Sequence, residues 1–148
     1  MVDVVYYVIM DVIPFTIFVD SLYQHHLKTG AFSFVILNDS GIKASEEVHE
    51  LKDTSFNLIE LRSIVSVLER CKQLTNENIV IKCKSFRICD RLNRNLDNSK
   101  LPYHELWDKI KSLSTPKITF QYINENSNNE WISYTRSLSI GKCTNVKR

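Results

Sequence analysis

The sequence predicts a single α/β domain in which an antiparallel meander of strands is followed by helices that alternate with further strands. Short apolar or alternating runs separated by turn residues extend to Leu51. From Ser55 the apolar residues switch to helical spacing, and short β-branched runs then alternate with amphipathic segments. A chain of 148 residues is long enough for one core of ordinary size.

Composition excludes several classes of protein. The 19 basic and 17 acidic residues give a net charge of +2, so an argument for a nucleic-acid or membrane partner must come from local clustering. The 4 cysteines lack metal-ligand spacing and lie within or beside apolar segments, which predicts reduced, buried thiols in a cytoplasmic protein. With 3 glycines there is no glycine-rich phosphate loop.

Residues 1–15 are predicted to be an extra strand or an arm that packs on another chain. The apolar run Val4–Met10 would form this strand or arm. Residues 1–19 as a whole are apolar enough to suggest a membrane or targeting segment, but Asp3, Asp11 and Pro14 interrupt them and no Lys or Arg precedes them. We therefore expect no membrane association.

The first strand, Thr16–Ser21, is expected to be buried at the centre of the sheet and to end at Asp20. A carboxylate at such a position is costly to bury unless a cation or a hydrogen-bond donor meets it. A polar connection, Ser21–Gly30, leads to a second strand at Ala31–Leu37. A third strand with several charged residues, Ile42–Leu51, is suited to the edge of the sheet.

The first helix, Ser55–Leu74, is expected to be capped by Ser55 and carries Glu60 on the face that must cover the sheet. The final element has apolar residues at both strand and helix spacing, and residue propensity slightly favours a strand. Residues 141–148 are predicted to be a basic tail. The other elements are a strand at Asn78–Cys83, helices at Phe86–Leu96 and Tyr103–Leu113, a strand at Ile118–Ile123 and the final element at Trp131–Ile140.

This order, with acids at Asp20 and Glu60, resembles type 1 ribonuclease H over residues 16–140. The family has an Asp in a context such as Thr-Asp-Gly-Ser, which Phe18-Val-Asp-Ser resembles, and a first helix that opens Thr-Asn-Asn-x-x-Glu-Leu, which Ser55-Phe-Asn-Leu-Ile-Glu-Leu61 matches. The resemblance implies a five-stranded mixed sheet, three antiparallel strands followed by two parallel ones, with helices packed on it. It also implies an RNA/DNA hybrid, or RNA, as the nucleic-acid partner.

The chain departs from the family at the other catalytic positions. Lys84 stands in the place of the third acid, Ser133 in the place of the fourth, and Asn126 in the place of the catalytic His. The family's activity resembles two-metal phosphodiester hydrolysis, which needs several carboxylate oxygens close together. Asp20 and Glu60 alone predict either no cofactor or weakly bound Mg²⁺ or Mn²⁺.

Lys84 opposes a metal ion further, because two like charges a few Å apart repel by about 4 kcal/mol at an effective dielectric near 20. It is expected instead to lie between Asp20 and Glu60 and to relieve their repulsion. These substitutions predict a nucleic-acid-binding protein whose catalytic site is degenerate. An active hybrid-directed endoribonuclease, using a displaced acid such as Glu130, is the first alternative.

Basic residues concentrate in the segment from the fourth strand into the second helix. Three of them recur at helical spacing, so they share one stripe that can bind phosphates through counterion release. The residues predicted to bind nucleic acid are Lys82, Arg87, Arg91, Arg94 and Asn57. A second alternative is a structural or protein-interaction module that associates through the N-terminal arm, either with a protein partner or as a homo-oligomer.

Overall fold

The computed structural model describes residues 13–74, 77–124 and 128–146, and these form one sheet covered by helices on both faces. The strands are β1 (Phe15–Gln24), β2 (Thr29–Leu37), β3 (Lys43–Leu51), β4 (Ile79–Cys83) and β5 (Ile118–Tyr122). The helices are α1 (Phe56–Cys71), α2 (Phe86–Asn93), α3 (His104–Leu113) and α4 (Glu130–Val146), with short 3₁₀ turns at His25–Leu27 and Lys72–Leu74.

The sheet is mixed, with the strand order β3-β2-β1-β4-β5. β1, β2 and β3 pair antiparallel, whereas β4 pairs parallel with β1 and with β5. β3 is an edge strand, as its charged residues predict. The five-stranded architecture expected from the sequence is therefore confirmed.

Alternation along the strands divides the apolar residues between two cores. Ile17, Phe34 and Ile81 belong to the larger core, which α1, α2 and α3 cover with residues such as Trp107. Phe18 and its neighbours on the opposite face form a smaller core beneath α4. Asp20 has the same parity as Phe18 and therefore lies on the α4 side of the sheet.

Serine side chains cap the two helices that begin beside the sheet's parallel strands. Ser55 Oγ accepts a hydrogen bond from the amide of Leu58, and Ser85 Oγ accepts one from the amide of Ile88, so each satisfies an amide that the first helical turn leaves unpaired. The predicted cap at Ser55 is confirmed. Gly30 allows close packing on α1, because a Cβ atom there would lie 2.3 Å from Ile59 Cδ1 and 2.4 Å from a backbone oxygen.

Three expectations require correction. β1 continues to Gln24, so Asp20 lies within the strand, and the connection to β2 is only a short 3₁₀ turn. Antiparallel pairing with β2 carries the strand past its last partner on β4, Lys82. The final element is a helix rather than a strand, and it continues through Val146, so residues 141–146 are not a loose tail.

The arm expected at the N terminus lies outside the described residues except for its last three positions, 13–15. In the part of the chain that the structure describes, no helix combines the length and apolar character needed to cross a bilayer.

Candidate functional site

A cavity of about 190 Å³ opens where α1, the β4–α2 junction and α4 meet beside β1. Parallel pairing of β1 with β4 brings the residues after β4 next to the middle of β1, and the serine caps hold the first turns of α1 and α2 at the rim. The residues that give the cavity its chemical character are Ser21, Phe56, Glu60, Lys84, Ser85 and Arg136.

Asp20 forms the centre of a buried ion cluster beneath this cavity. Its side chain is only 1% exposed, and its Oδ1 atom accepts from Lys84 Nζ at 2.9 Å and lies 3.0 Å from the guanidinium of Arg136. The other carboxylate oxygen, Oδ2, is buried without a hydrogen-bond partner among the described residues. Two cations therefore compensate one buried acid, with one unit of positive charge to spare.

Glu60 lies on the α1 wall of the cavity, and its surroundings differ from those of Asp20. Burial raises the pKa of its carboxyl above the ordinary value, while the charge of Arg87 and a hydrogen bond with Ser85 act in the opposite direction. Within the described residues, Lys84 forms an ion pair with Asp20 and none with Glu60. Lys84 therefore meets Asp20, as expected, and shares the cavity wall with Glu60 without an ion pair to it.

The acidic side chains that the structure describes at the cavity do not form a ligand set for a divalent metal ion. No group of three or more His, Cys, Asp or Glu side chains in the described part of the chain converges as metal ligands would. Asp20 points into the α4 side and already contacts two cations, whereas Glu60 borders the cavity. Hard cations such as Mg²⁺ need several oxygens in one place, which this arrangement does not supply.

Ser133, which stands in the place of the family's fourth acid, does not line the cavity. Ser133 is exposed and, with Glu130, borders a separate depression at the start of α4 rather than the cavity. The α4 residue that reaches Asp20 is Arg136, one turn further along the helix. Sequence analysis missed Arg136, although reading the last element as a helix would have placed it on the same side as Ser133. Asn126 lies outside the described residues.

The predicted basic stripe is divided by its contacts. Arg87 donates to Asn57 on α1 and stands 5.7 Å from the Trp107 ring centroid, and its charge acts on Glu60, which lines the cavity. Arg91 donates to the backbone oxygen of Asp97 at 2.8 Å and so helps to close the loop after α2.

The remaining predicted basic residues also have partners. Arg94 forms an exposed pair with Asp90 at 3.2 Å. Lys82 lies on the α4 face, 5.4 Å from the Phe18 ring centroid. The stripe is therefore not one free phosphate-binding surface, and only Arg87 among its three helical arginines is brought to the cavity.

Comparison with known proteins identifies the fold. No family model matches the sequence, and no curated protein sequence matches it either. Among solved structures, LC11 ribonuclease H1, isolated from compost by a metagenomic approach, superposes with a TM-score of 0.77 at 15% identity and covers 91% of this chain and 99% of its own.

Two further structures agree. The ribonuclease H1 of the halophilic archaeon Halobacterium salinarum has a TM-score of 0.73 at 11% identity, with 88% of this chain and 98% of its own covered. LC11 ribonuclease H1 in complex with an RNA/DNA hybrid has a TM-score of 0.69 at 17% identity, with 86% and 94% covered. The chain therefore has the fold of type 1 ribonuclease H, as the sequence resemblance predicts.

Proposed function

We propose that this protein binds nucleic acid in its ribonuclease H-like cleft and does not cleave it efficiently. The observation that carries the proposal is the engagement of Asp20 Oδ1 by both Lys84 and Arg136. In two-metal hydrolysis the carboxylate in this position would have to hold metal ions. Here its charge is already neutralised by protein cations, so a metal would have to displace them.

Charge and position support binding. Lys84 and Arg136 border the cavity, and the charge of Arg87 acts on Glu60, which borders it as well. Lysine and arginine at such a place can neutralise phosphates and release counterions. A protein of the same fold, LC11 ribonuclease H1, has been solved in complex with an RNA/DNA hybrid. We propose that the equivalent cleft of this chain faces nucleic acid.

Catalysis by a displaced acid has no supporting contact. Glu130 borders the depression that is separate from the cavity, and no group of three metal-ligating side chains forms among residues 13–74, 77–124 and 128–146.

The four free cysteines are all buried, which accords with our proposal of a reducing, cytoplasmic environment.

Two assays on the intact protein test the proposal. The first is cleavage of a labelled RNA/DNA hybrid in Mg²⁺ and in Mn²⁺, beside Asp20→Asn and Glu60→Gln. We expect no cleavage above background in any of the three proteins. Metal-dependent cleavage that disappears in both variants would overturn the noncatalytic assignment.

The second assay measures binding of the labelled RNA/DNA hybrid by fluorescence anisotropy across a range of salt concentrations. Arg87→Ala should weaken binding and lower the slope of log K against log salt by up to about 0.9, the value for one phosphate contact on a duplex. Lys72→Ala is the matched control, since Lys72 follows the far end of α1 and is 62% exposed. Equal effects of the two substitutions would refute a binding site at this cleft.

A further inference from the structure

Exposed aromatic side chains lie in the wall of the cavity and on the segments next to it. Phe86 is 63% exposed, Phe56 46% and Tyr122 45%. The rings of Phe86 and Tyr122 stand nearly perpendicular, at 86°, with their centroids 5.5 Å apart. Phe56 lines the cavity directly, and Phe86 follows Ser85, which lines it as well. We refer to these three side chains as the aromatic rim.

The fold gives no reason for these rings to face water. Phe56 and Phe86 are the first residues of α1 and α2, where their serine caps already satisfy the helix ends. In the resembled helix motif, the position of Phe56 is an asparagine. Clustered apolar side chains at the surface usually mark a binding site for another molecule.

Cations are interleaved with the rings. Lys84 lies two residues before Phe86, Arg87 follows Phe86 and bonds to Asn57 beside Phe56, and Arg136 reaches the same cavity from α4. Of the two acids at the site, Asp20 is buried and already paired. Aromatic faces beside a positively charged groove form the combination that binds bases and phosphates of single-stranded nucleic acid.

We propose that the cleft binds an unpaired strand, with bases stacked on the aromatic rim and phosphates on Lys84, Arg87 and Arg136. This inference rests on the proposed function and names its ligand. In a duplex the faces of the bases are covered by neighbouring base pairs, so side chains can stack only on unpaired bases or on ends. A strictly double-helical ligand would leave the rim without a role.

Anisotropy with three labelled probes of equal length tests this. The probes are a single-stranded RNA, the same RNA paired with DNA, and a single-stranded DNA lacking its bases. The single strand should bind more tightly than the hybrid, and removal of the bases should weaken binding. Phe86→Ala should weaken single-strand binding roughly fivefold to a hundredfold, as loss of one stacking contact does, and should leave hybrid binding nearly unchanged.

Two further variants make the comparison specific. Phe86→Trp should retain affinity because it keeps an aromatic face. Ile42→Ala is the matched control, since Ile42 is equally exposed at 63% but lies in the β2–β3 turn. Circular dichroism of each variant verifies that the protein is folded.

The results separate this inference from the proposed function. Hybrid binding equal to or tighter than single-strand binding, or a Phe86→Ala effect no larger than that of Ile42→Ala, would overturn the unpaired-strand assignment and leave nucleic-acid binding intact. Failure of the folded protein to bind any of the three probes at low salt would overturn both, and would leave the rim as a protein-binding surface.

Discussion

The guanidinium of Arg136 lies 3.0 Å from Oδ1 of Asp20, although the two residues come from the last helix and the first strand of the described domain. Lys84 donates to the same oxygen from the end of β4. The three side chains tie together elements that are distant in sequence. Their ion pairs give Asp20 a role in stability, and its replacement measures that role.

Asp20→Asn should destabilise the protein. The change removes the acid that, among the described residues, pairs with Lys84, whose side chain is 13% exposed, and it leaves two partly buried cations facing each other. Breaking a buried ion pair costs about 3 kcal/mol at the low end of the usual range. For a chain of this size that corresponds to a fall in Tm of roughly 6 to 12 °C.

Urea unfolding of Asp20→Asn and of Asp39→Asn, an exposed turn residue, gives the comparison. If Asp20 stood instead in a cluster of carboxylates, removing its charge would relieve repulsion. Equal or greater stability of Asp20→Asn would therefore contradict the ion cluster.

Reversing the charge of the cluster should create metal affinity. The double variant K84D/R136A replaces two cations with one carboxylate beside Asp20, in a cavity that Glu60 also borders. We expect this variant to unfold more easily without metal and to be stabilised by Mn²⁺. At a concentration tenfold above the dissociation constant, the stabilisation amounts to about 1.4 kcal/mol.

Thermal unfolding with and without Mn²⁺ measures this effect, with R136A alone and the unaltered protein as controls. Similar stabilisation of all three proteins would show that the metal acts elsewhere.

Glu60 should make stability depend on pH. Its pKa is raised in the folded protein, chiefly by burial, above the ordinary value of 4.5. The folded state therefore holds this proton more tightly than the unfolded chain does. The corresponding contribution to stability is fully present below the unfolded pKa and is lost as pH rises through the folded pKa.

Glu60→Gln keeps the shape of the side chain and removes its charge. The variant should gain stability relative to the unaltered protein as pH rises above about 4.5, with the gain levelling off above the raised pKa of Glu60 in the folded protein. Denaturant unfolding at several pH values measures the gain, and Glu105→Gln, at an exposed position on α3, is the control. A gain that is constant across pH would rule out the titration of Glu60 as its cause.

The cysteines should differ in reactivity. Burial raises the pKa of the Cys71 thiol to about 11, so only about one molecule in a thousand carries the thiolate at pH 8. A hydrogen bond with Cys89 lowers the pKa of Cys83, and Cys83 also borders the cavity. We expect Cys83 to react first with a disulfide reagent, and all 4 cysteines to react on unfolding.

Reaction progress in Cys83→Ala identifies that first thiol. Loss of the fastest phase is the expected result, and an unchanged fastest phase would assign it to another cysteine.

The sequence predicted the sheet and three of the four described helices because their signals are local. Alternation identifies β2, a serine cap and a helical apolar stripe identify α1, and Glu60 follows from a motif within that helix. The sequence left α4 open between helix and strand, because its polar residues include Thr135 and Ser139, which are buried. A helix that buries hydroxyls does not show a clean apolar stripe.

The candidate site was predicted only in part for a related reason. Lys84 follows β4, whose parallel pairing with β1 could be expected, so its proximity to Asp20 was foreseeable. Arg136 was not, since its position depends on how α4 is rotated about its axis. The aromatic rim was also missed, because a phenylalanine that opens a helix is ordinarily counted with the core.

The buried hydroxyl of Ser33 determines that rotation. Ser33 is the β2 partner of Asp20, and its Oγ donates to the backbone oxygen of Thr135 at 2.8 Å and lies 2.7 Å from Ser139 Oγ. The residue after Thr135 is Arg136. Hydrogen bonds are directional, so these contacts between β2 and α4 fix the angular position of α4, whereas a purely apolar interface would tolerate several angles. Ser33 does not line the cavity, yet through α4 it helps to place the positive charge of Arg136 there.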